Sequence, residues 1–215
     1  MITILKRVSV FALSVLMFFI CSSNTVLGVK EKCSHNRRTF NDKKLSGGVG
    51  NYGNNDRYYW IDSNFSGNYT TRVQNAFKHW VFTSTNPGVT TPISIVQTTQ
   101  KSASTFDIYK KSLSGNTTGI TKFYSDSSSV NDPSSQNWTW VKIQIDQAET
   151  SCYGNMQKTG LVAHEIGHAM GLSHQPNNQY DSLMYNYDNG RKFSENGDFR
   201  NRPSKRDCNN INHIY

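Results

Sequence analysis

The chain has 215 residues, 23 Lys+Arg against 15 Asp+Glu, and a formal net charge of +8. Apolar residues make up 35% of it, yet 18 of them fall in the first 28 positions, and 23 of the 58 that remain are Phe, Tyr or Trp. The other 187 residues are too polar for a multi-span membrane protein, too aromatic for a disordered chain, and enough for one domain with a modest aromatic core.

Lys6 and Arg7 precede an uncharged apolar run from Val8 to Ile20. A membrane span needs roughly 20 residues, so this shorter run suits the apolar region of a signal peptide rather than an uncleaved anchor. Val26, Leu27 and Gly28 place compact residues where cleavage would follow Gly28, so residues 1–28 are expected to leave on export. Cys21 follows Ile20 rather than a small residue, which argues against lipidation. Loss of Lys6 and Arg7 leaves the mature chain at +6. Cys33, Cys152 and Cys208 then remain in an oxidising compartment. One disulfide and one free thiol are expected. Cys33–Cys208 is the favoured pair because it ties the two ends together, although spacing does not fix connectivity.

Residues 29–56 carry Lys30, Lys32, Arg37, Arg38, Lys43 and Lys44, then Gly47, Gly48, Gly50 and Gly53, with no apolar period. They read as an irregular basic segment ahead of a domain at 57–215. Residues 57–62 (RYYWID) read as a strand. Over 69–83, Val73, Ala76, Phe77, Trp80 and Val81 follow the helical period, and Asn86-Pro87-Gly88 ends it. Residues 93–98 and 105–110 are β-rich, and 120–124 is a candidate edge strand. Residues 138–146 alternate, with Trp138, Trp140, Lys142 and Gln144 set against Val141, Ile143 and Ile145. The Ser/Asp/Asn/Pro stretch 125–137 reads as a loop. A helix is expected over 156–170 with Asn155 as its N-cap and Gly171 just beyond its end, and a last helix over 203–215. The fold class is α/β (α+β): a mixed twisted sheet with a long first helix, a central helix and a terminal helix.

The chemistry gathers at residues 164–174, HEIGHAMGLSH. On a helix, His164 and His168 lie four apart on one face and direct two imidazoles to one point. Zn²⁺ accepts such nitrogens and, in a catalytic site, keeps a position open for water. Glu165 lies one residue round from the ligands, where a general base for that water belongs. Gly171 permits positive φ, so the chain turns and returns His174 as a third ligand. Five fixed residue types in this frame arise by chance on the order of once in 10⁴ chains of this size.

These residues match the H-E-x-x-H-x-x-G-x-x-H motif, so the chain resembles the metzincin zinc metalloendopeptidases. Ser182-Leu183-Met184-Tyr185 resembles their Met-turn, with Met184 beneath the zinc as site support alongside Gly171. Ala76-Phe77-x-x-Trp80, Asp107-Ile108 and Asp207-x-x-x-Ile211-x-x-x-Tyr215 resemble the first helix, third strand and terminal helix of matrixins, the collagenase-type branch. The resemblance covers about 57–215 and is firmest over 160–190. Gln175 after the third His is typical of none of the well-known branches, and Asn186 stands where astacins and serralysins place a zinc-binding Tyr, so no tyrosine ligand carries over. A matrixin-style Pro-Arg-Cys-Gly propeptide stretch is missing; only residue type suggests Cys33 as a latency thiolate, and a disulfide or idle thiol is the simpler reading.

The motif and the resemblance together point to a zinc endopeptidase in which Glu165 activates a zinc-bound water; the leader at 1–28 makes it secreted, and a monomer is expected. A protein or peptide substrate would lie extended along the edge strand near 120–124, with residues after Met184 walling one pocket and Leu161 helping to line the site. It also raises structural Ca²⁺, for which Asp and Asn in 125–137 are ordinary loop residues as well. His35, His79 and His213 have no partner at ligand spacing and read as packed or solvated. No nucleic-acid partner is expected. The positive charge reads as solvation or as attraction to an anionic cell-surface polymer. Asn64, Asn68, Asn116 and Asn137 begin glycosylation sequons that matter only in a eukaryotic secretory pathway. Two rivals are a non-cleaving zinc module that docks through its basic segment and a zinc amidase acting on a non-protein cell-wall linkage. An intact Glu165 argues against the first.

Overall fold

A computed structural model describes residues 38–175, 181–185 and 200–215, all within the unit formed by 36–215. The expected signal peptide, Cys33 and His35 lie outside the described residues, as do the residues after Tyr185 that were expected to wall a pocket.

Six strands form one sheet: β1 (Arg57–Ile61), β2 (Ile95–Gln97), β3 (Phe106–Lys110), β4 (Gly119–Ser125), β5 (Ser128–Val130) and β6 (Trp140–Ile145), in the order β2-β1-β3-β6-β4-β5. Pairings from β2 through β6 are parallel, whereas β4 runs antiparallel to β6 and β5 antiparallel to β4. The expected mixed sheet is present. Strand β5 is the difference, because it forms inside the stretch read as a loop. Its Ser-Ser-Val sequence has little β signature, and its pairing comes from a tight hairpin in which Asp126 takes φ 53°.

Helices α1 (Tyr69–Val81) and α2 (Asn155–Ala169) pack against each other and against one face of the sheet. The apolar stripe of α1 buries Val73, Ala76, Phe77 and Trp80, and Phe77 stacks on Tyr59 with ring centroids 3.8 Å apart. On β6, Val141, Ile143 and Ile145 are buried beneath the helices. Trp138 departs from the expected alternation: it precedes the strand, is fully buried, and donates its indole N–H to the Ala169 carbonyl at 2.9 Å. Trp80 does the same to the Ala163 carbonyl at 2.8 Å, so two tryptophans fix α2 from opposite sides in sequence.

Helix α2 begins at Asn155 with Gly154 as its N-cap, one residue before the expected cap, and the Gln157 side chain accepts the Gly154 amide. Every residue from Thr159 to Ala169 is buried. Helix α3 (Lys205–Ile214) opens with a reciprocal cap between Ser204 and Asp207. Part of the basic segment is tied into this core. Leu45 and Val49 are buried in it, and Phe40 donates its N–H to the Gly171 carbonyl at 3.1 Å. Cys208 is buried on α3 and Cys152 is exposed; among the described residues neither forms a disulfide. None of the described helices is long and apolar enough to cross a membrane.

Candidate metal centre and active site

Helical spacing places His164 and His168 on one face of α2, and the chain then reverses at Gly171, whose φ is 110°. A Cβ at Gly171 would stand 2.8 Å from Ile214 Cδ1 and 2.9 Å from the Lys43 carbonyl oxygen, so space and backbone both demand glycine. The reversal returns His174: its Nε2 lies 3.2 Å from His164 Nε2 and 3.1 Å from His168 Nε2. Among the described residues, these three form the only group of three or more His, Cys, Asp or Glu side chains able to share one ion.

The residues fit zinc. With bonds of 2.0–2.1 Å, the edge of a tetrahedron is about 3.3 Å, close to the nitrogen separations observed. His164 Nδ1 lies 2.8 Å from the Leu183 carbonyl and His168 Nδ1 2.7 Å from the Leu172 carbonyl. A carbonyl can only accept, so both Nδ1 atoms carry hydrogen and both Nε2 lone pairs point into the cluster. Burial, reinforced by the neighbouring imidazoles, lowers the His164 pKa well below its ordinary value and that of His168 to about 3, keeping both rings neutral. Three nitrogens this close, two with converging lone pairs, call for a cation between them.

Glu165 is buried beside the triad without joining it. Its Oε2 accepts the Thr121 hydroxyl at 2.7 Å, and that hydroxyl is also 3.0 Å from the Glu165 carbonyl oxygen. Burial raises the Glu165 pKa to about 7, against the opposing effect of the Thr121 hydrogen bond. Glu165, His168 and His174 open on a cleft of about 300 Å³ that is also lined by Phe40, Gly119 and Thr121. Leu161 packs beside Glu165 at Gly119, where a Cβ would meet both side chains at 3.1–3.2 Å.

The Met-turn packs under this centre. A Cβ on Gly167 would stand 2.3 Å from Met184 Sδ, so glycine there lets the thioether lie against the helix between the two ligands. Asp207 of α3 holds the turn in place: it accepts the Ser182 hydroxyl and, at 2.8 Å, the Leu183 N–H. Since Leu183 in turn receives His164, the carboxylate of α3 sits two hydrogen bonds from a ligand. Gln175 donates its N–H to the Met184 carbonyl at 2.7 Å, clipping the third-ligand loop to the same turn. The Tyr215 hydroxyl bridges the Leu45 N–H and the Met170 carbonyl, which fixes the end of α2.

Thr121, Phe40 and the anchoring role of Asp207 escape the sequence. Thr121 and Phe40 reach the site from segments with no chemical pattern, and the Phe40 ring lies 5.8 Å from that of His168. His79 is buried with its Nδ1 on the Asn201 carbonyl, and His213 pairs with Asp42 at 3.3 Å; neither belongs to the triad. Only part of the expected edge at 120–124 is open, because β5 pairs with Phe123, Tyr124 and Ser125. In the 125–137 stretch, Asp132 accepts the Ser134 N–H at 2.8 Å, which is ordinary turn capping.

Residues 66–215 match the matrixin family. Among solved structures, similarity extends to high choriolytic enzyme 1, a hatching-enzyme zinc protease of the medaka Oryzias latipes, at 17% identity and a TM-score of 0.39 over 80% of this chain and 92% of that one. It extends also to myroilysin, at 14% identity and a TM-score of 0.36 over 61% and 52%. No curated protein sequence matches the chain. With the histidine triad in place and the family matched over most of its length, the chain belongs to the matrixin family of zinc metalloendopeptidases.

Proposed function

We propose that this metalloendopeptidase is exported and that Glu165 is its general acid–base, acting on a peptide extended along the open stretch 119–122 of β4. The observation that carries the assignment is the carboxylate of Glu165, buried beside the three imidazoles but left out of them, with one oxygen on Thr121. His164, His168 and His174 would hold a zinc ion, whose Lewis acidity would polarise the scissile carbonyl and acidify water. Glu165 takes a proton from the attacking water and delivers it to the departing amine; a pKa of about 7 suits both transfers near neutral pH. Thr121 holds one carboxylate oxygen and so leaves the other to face the cleft.

Beyond the open stretch, Lys122, Tyr124, Val130, Asn131 and Pro133 border a second hollow of about 370 Å³ along the same edge. It would receive a substrate side chain where strand pairing stops at β5. Export rests on the apolar run from Val8 to Ile20 behind Lys6 and Arg7.

The test is hydrolysis of casein and gelatin by wild type, Glu165→Ala and Glu165→Gln, each with zinc content measured and with and without a chelator. Both variants are expected to keep their zinc and lose at least about 10²-fold in rate, the scale of a positioned acid–base group. Equal rates in a zinc-loaded variant would remove Glu165 from the mechanism. Activity indifferent to the chelator would remove the metal.

A further inference from the structure

The helices cover one side of the sheet and leave the other to solvent. On that solvent side the strand registers compose three rows. One runs through Val96, Tyr58, Thr105, Trp140 and Tyr124, the next through Trp60, Asp107, Lys142 and Lys122, and the third through Tyr109, Gln144 and Ile120. The solvent side of a sheet ordinarily alternates to polar residues. Here five aromatic rings occupy it, Tyr58 at 40% exposure and Trp60, Tyr109, Tyr124 and Trp140 half-buried.

Cations are interleaved with the rings. Lys101 Nζ stands 5.4 Å from the Trp60 centroid and 5.2 Å from that of Tyr109. Lys142 Nζ stands 4.9 Å from Tyr124 and 5.2 Å from Trp140, which are themselves stacked at 4.2 Å. Lys122 is exposed in the same row as Lys142. The carboxylates at these rows, Asp107 and Asp62, are buried, Asp107 on Ser104 and Tyr109 and Asp62 on Asn64, so the exposed charges of the rows are positive.

We propose that this face is a docking surface for an anionic polysaccharide, one bearing carboxylate or sulfate on its sugar rings. Charge complementarity selects an anionic partner, and rows of rings and lysines running across several strands select a linear chain over a compact ligand. A protein partner fits poorly, because protein interfaces deplete charge at their centre and here lysines hold the middle row. Nucleic-acid bases need vacant ring faces on which to stack. Four of the five rings already carry an ammonium group over a face, leaving ring edges, Tyr hydroxyls and lysines, which suit sugar hydroxyls and acid groups. Two of the rows end at β4, whose Ile120 also borders the cleft beside Glu165. A polymer held there would keep the enzyme's cleft against whatever matrix the polymer belongs to. The surface meets the proposed substrate edge at Ile120, Lys122 and Tyr124, yet the binding it predicts can fail or hold without the hydrolytic reading.

The experiment measures binding of the full mature chain to polygalacturonate and heparin, with neutral dextran and oligo(dT) as comparators, at low and raised salt. Wild type is expected to bind both acidic polysaccharides, less tightly as salt rises, and to ignore dextran. The double variant Lys101→Gln/Lys142→Gln, which removes four cation–aromatic contacts, should lose at least about tenfold in affinity, as should Trp60→Leu/Trp140→Leu, which removes two. Cleavage of a short uncharged peptide should stay at the wild-type rate in both, which shows that they are folded. The charge-matched double variant Lys78→Gln/Lys205→Gln, on helices α1 and α3 rather than on this face, should bind like wild type. An equal loss in that control would reduce the effect to net charge and overturn the site. Absence of wild-type binding to either acidic polysaccharide would overturn it too, as would tighter binding of oligo(dT) that the same variants abolish, which would assign the face to nucleic acid.

Discussion

On β6, Val141, Ile143 and Ile145 disappear beneath the helices, while Trp140, Lys142 and Gln144, each one residue away, remain partly in water. The same strand thus meets two environments at a period of two. Its covered side joins Phe106 and Ile108 in a core with no exposure at all, and α2 rests on it with the ligand histidines. Its uncovered side has no such layer and covers itself, with lysine stems laid over aromatic rings. Burial by a second layer fixes the metal centre, while large rings on the bare side add little to the fold.

That contrast can be broken by mutation. Phe106→Ala, on the covered side, should destabilise by about 3–5 kcal/mol in urea denaturation; a loss under about 1 kcal/mol would mean the layer is not the core. Asp207→Ala strips the Leu183 N–H and the Ser182 hydroxyl of a buried acceptor. It should cost about 1–3 kcal/mol and, through the Leu183–His164 bond, about 10–100-fold in zinc affinity by chelator competition. Unchanged zinc affinity in a folded variant would detach α3 from the ligand set.

A smaller effect is read from pH. Burial lowers the His79 pKa, although its hydrogen bond to Asn201 opposes the shift. The folded ring therefore resists a proton that the unfolded chain accepts below about 6.5. Its contribution to stability is complete above that pH and is lost as pH falls toward the folded value. His79→Gln should flatten the decline in thermal stability between pH 6.5 and 5 without abolishing it, since His164 and His168 shift in the same direction. An identical slope would show that His79 titrates normally. Smallest of all, Lys142→Gln on the uncovered side should change stability by no more than about 1 kcal/mol; a core-sized loss would erase the distinction between the two sides.

Patterns with a strong period were legible in advance. The stripe of α1 and the alternation of β6 each follow from one side of an element meeting the core. The triad was legible because helical spacing and one glycine suffice to bring its members together. What stayed hidden depends on contacts between distant segments. Thr121 meets Glu165 only because β4 passes across α2, and Trp138 turns inward only because Ala169 offers a carbonyl. Leu45 and Val49 look like strays in a glycine-rich stretch until the core is assembled around them. β5 was hidden for the opposite reason: its three residues carry almost no preference of their own and are recruited by the partner strand.

The hairpin of β4 and β5 has one more effect. Unpaired backbone along a sheet margin invites another copy to add on, and long flat margins seed fibres. By closing Phe123 to Ser125 internally, β5 leaves only four residues of that margin exposed, with the charged Lys122 among them. A window so short and so guarded is a poor template for another copy to extend along this margin.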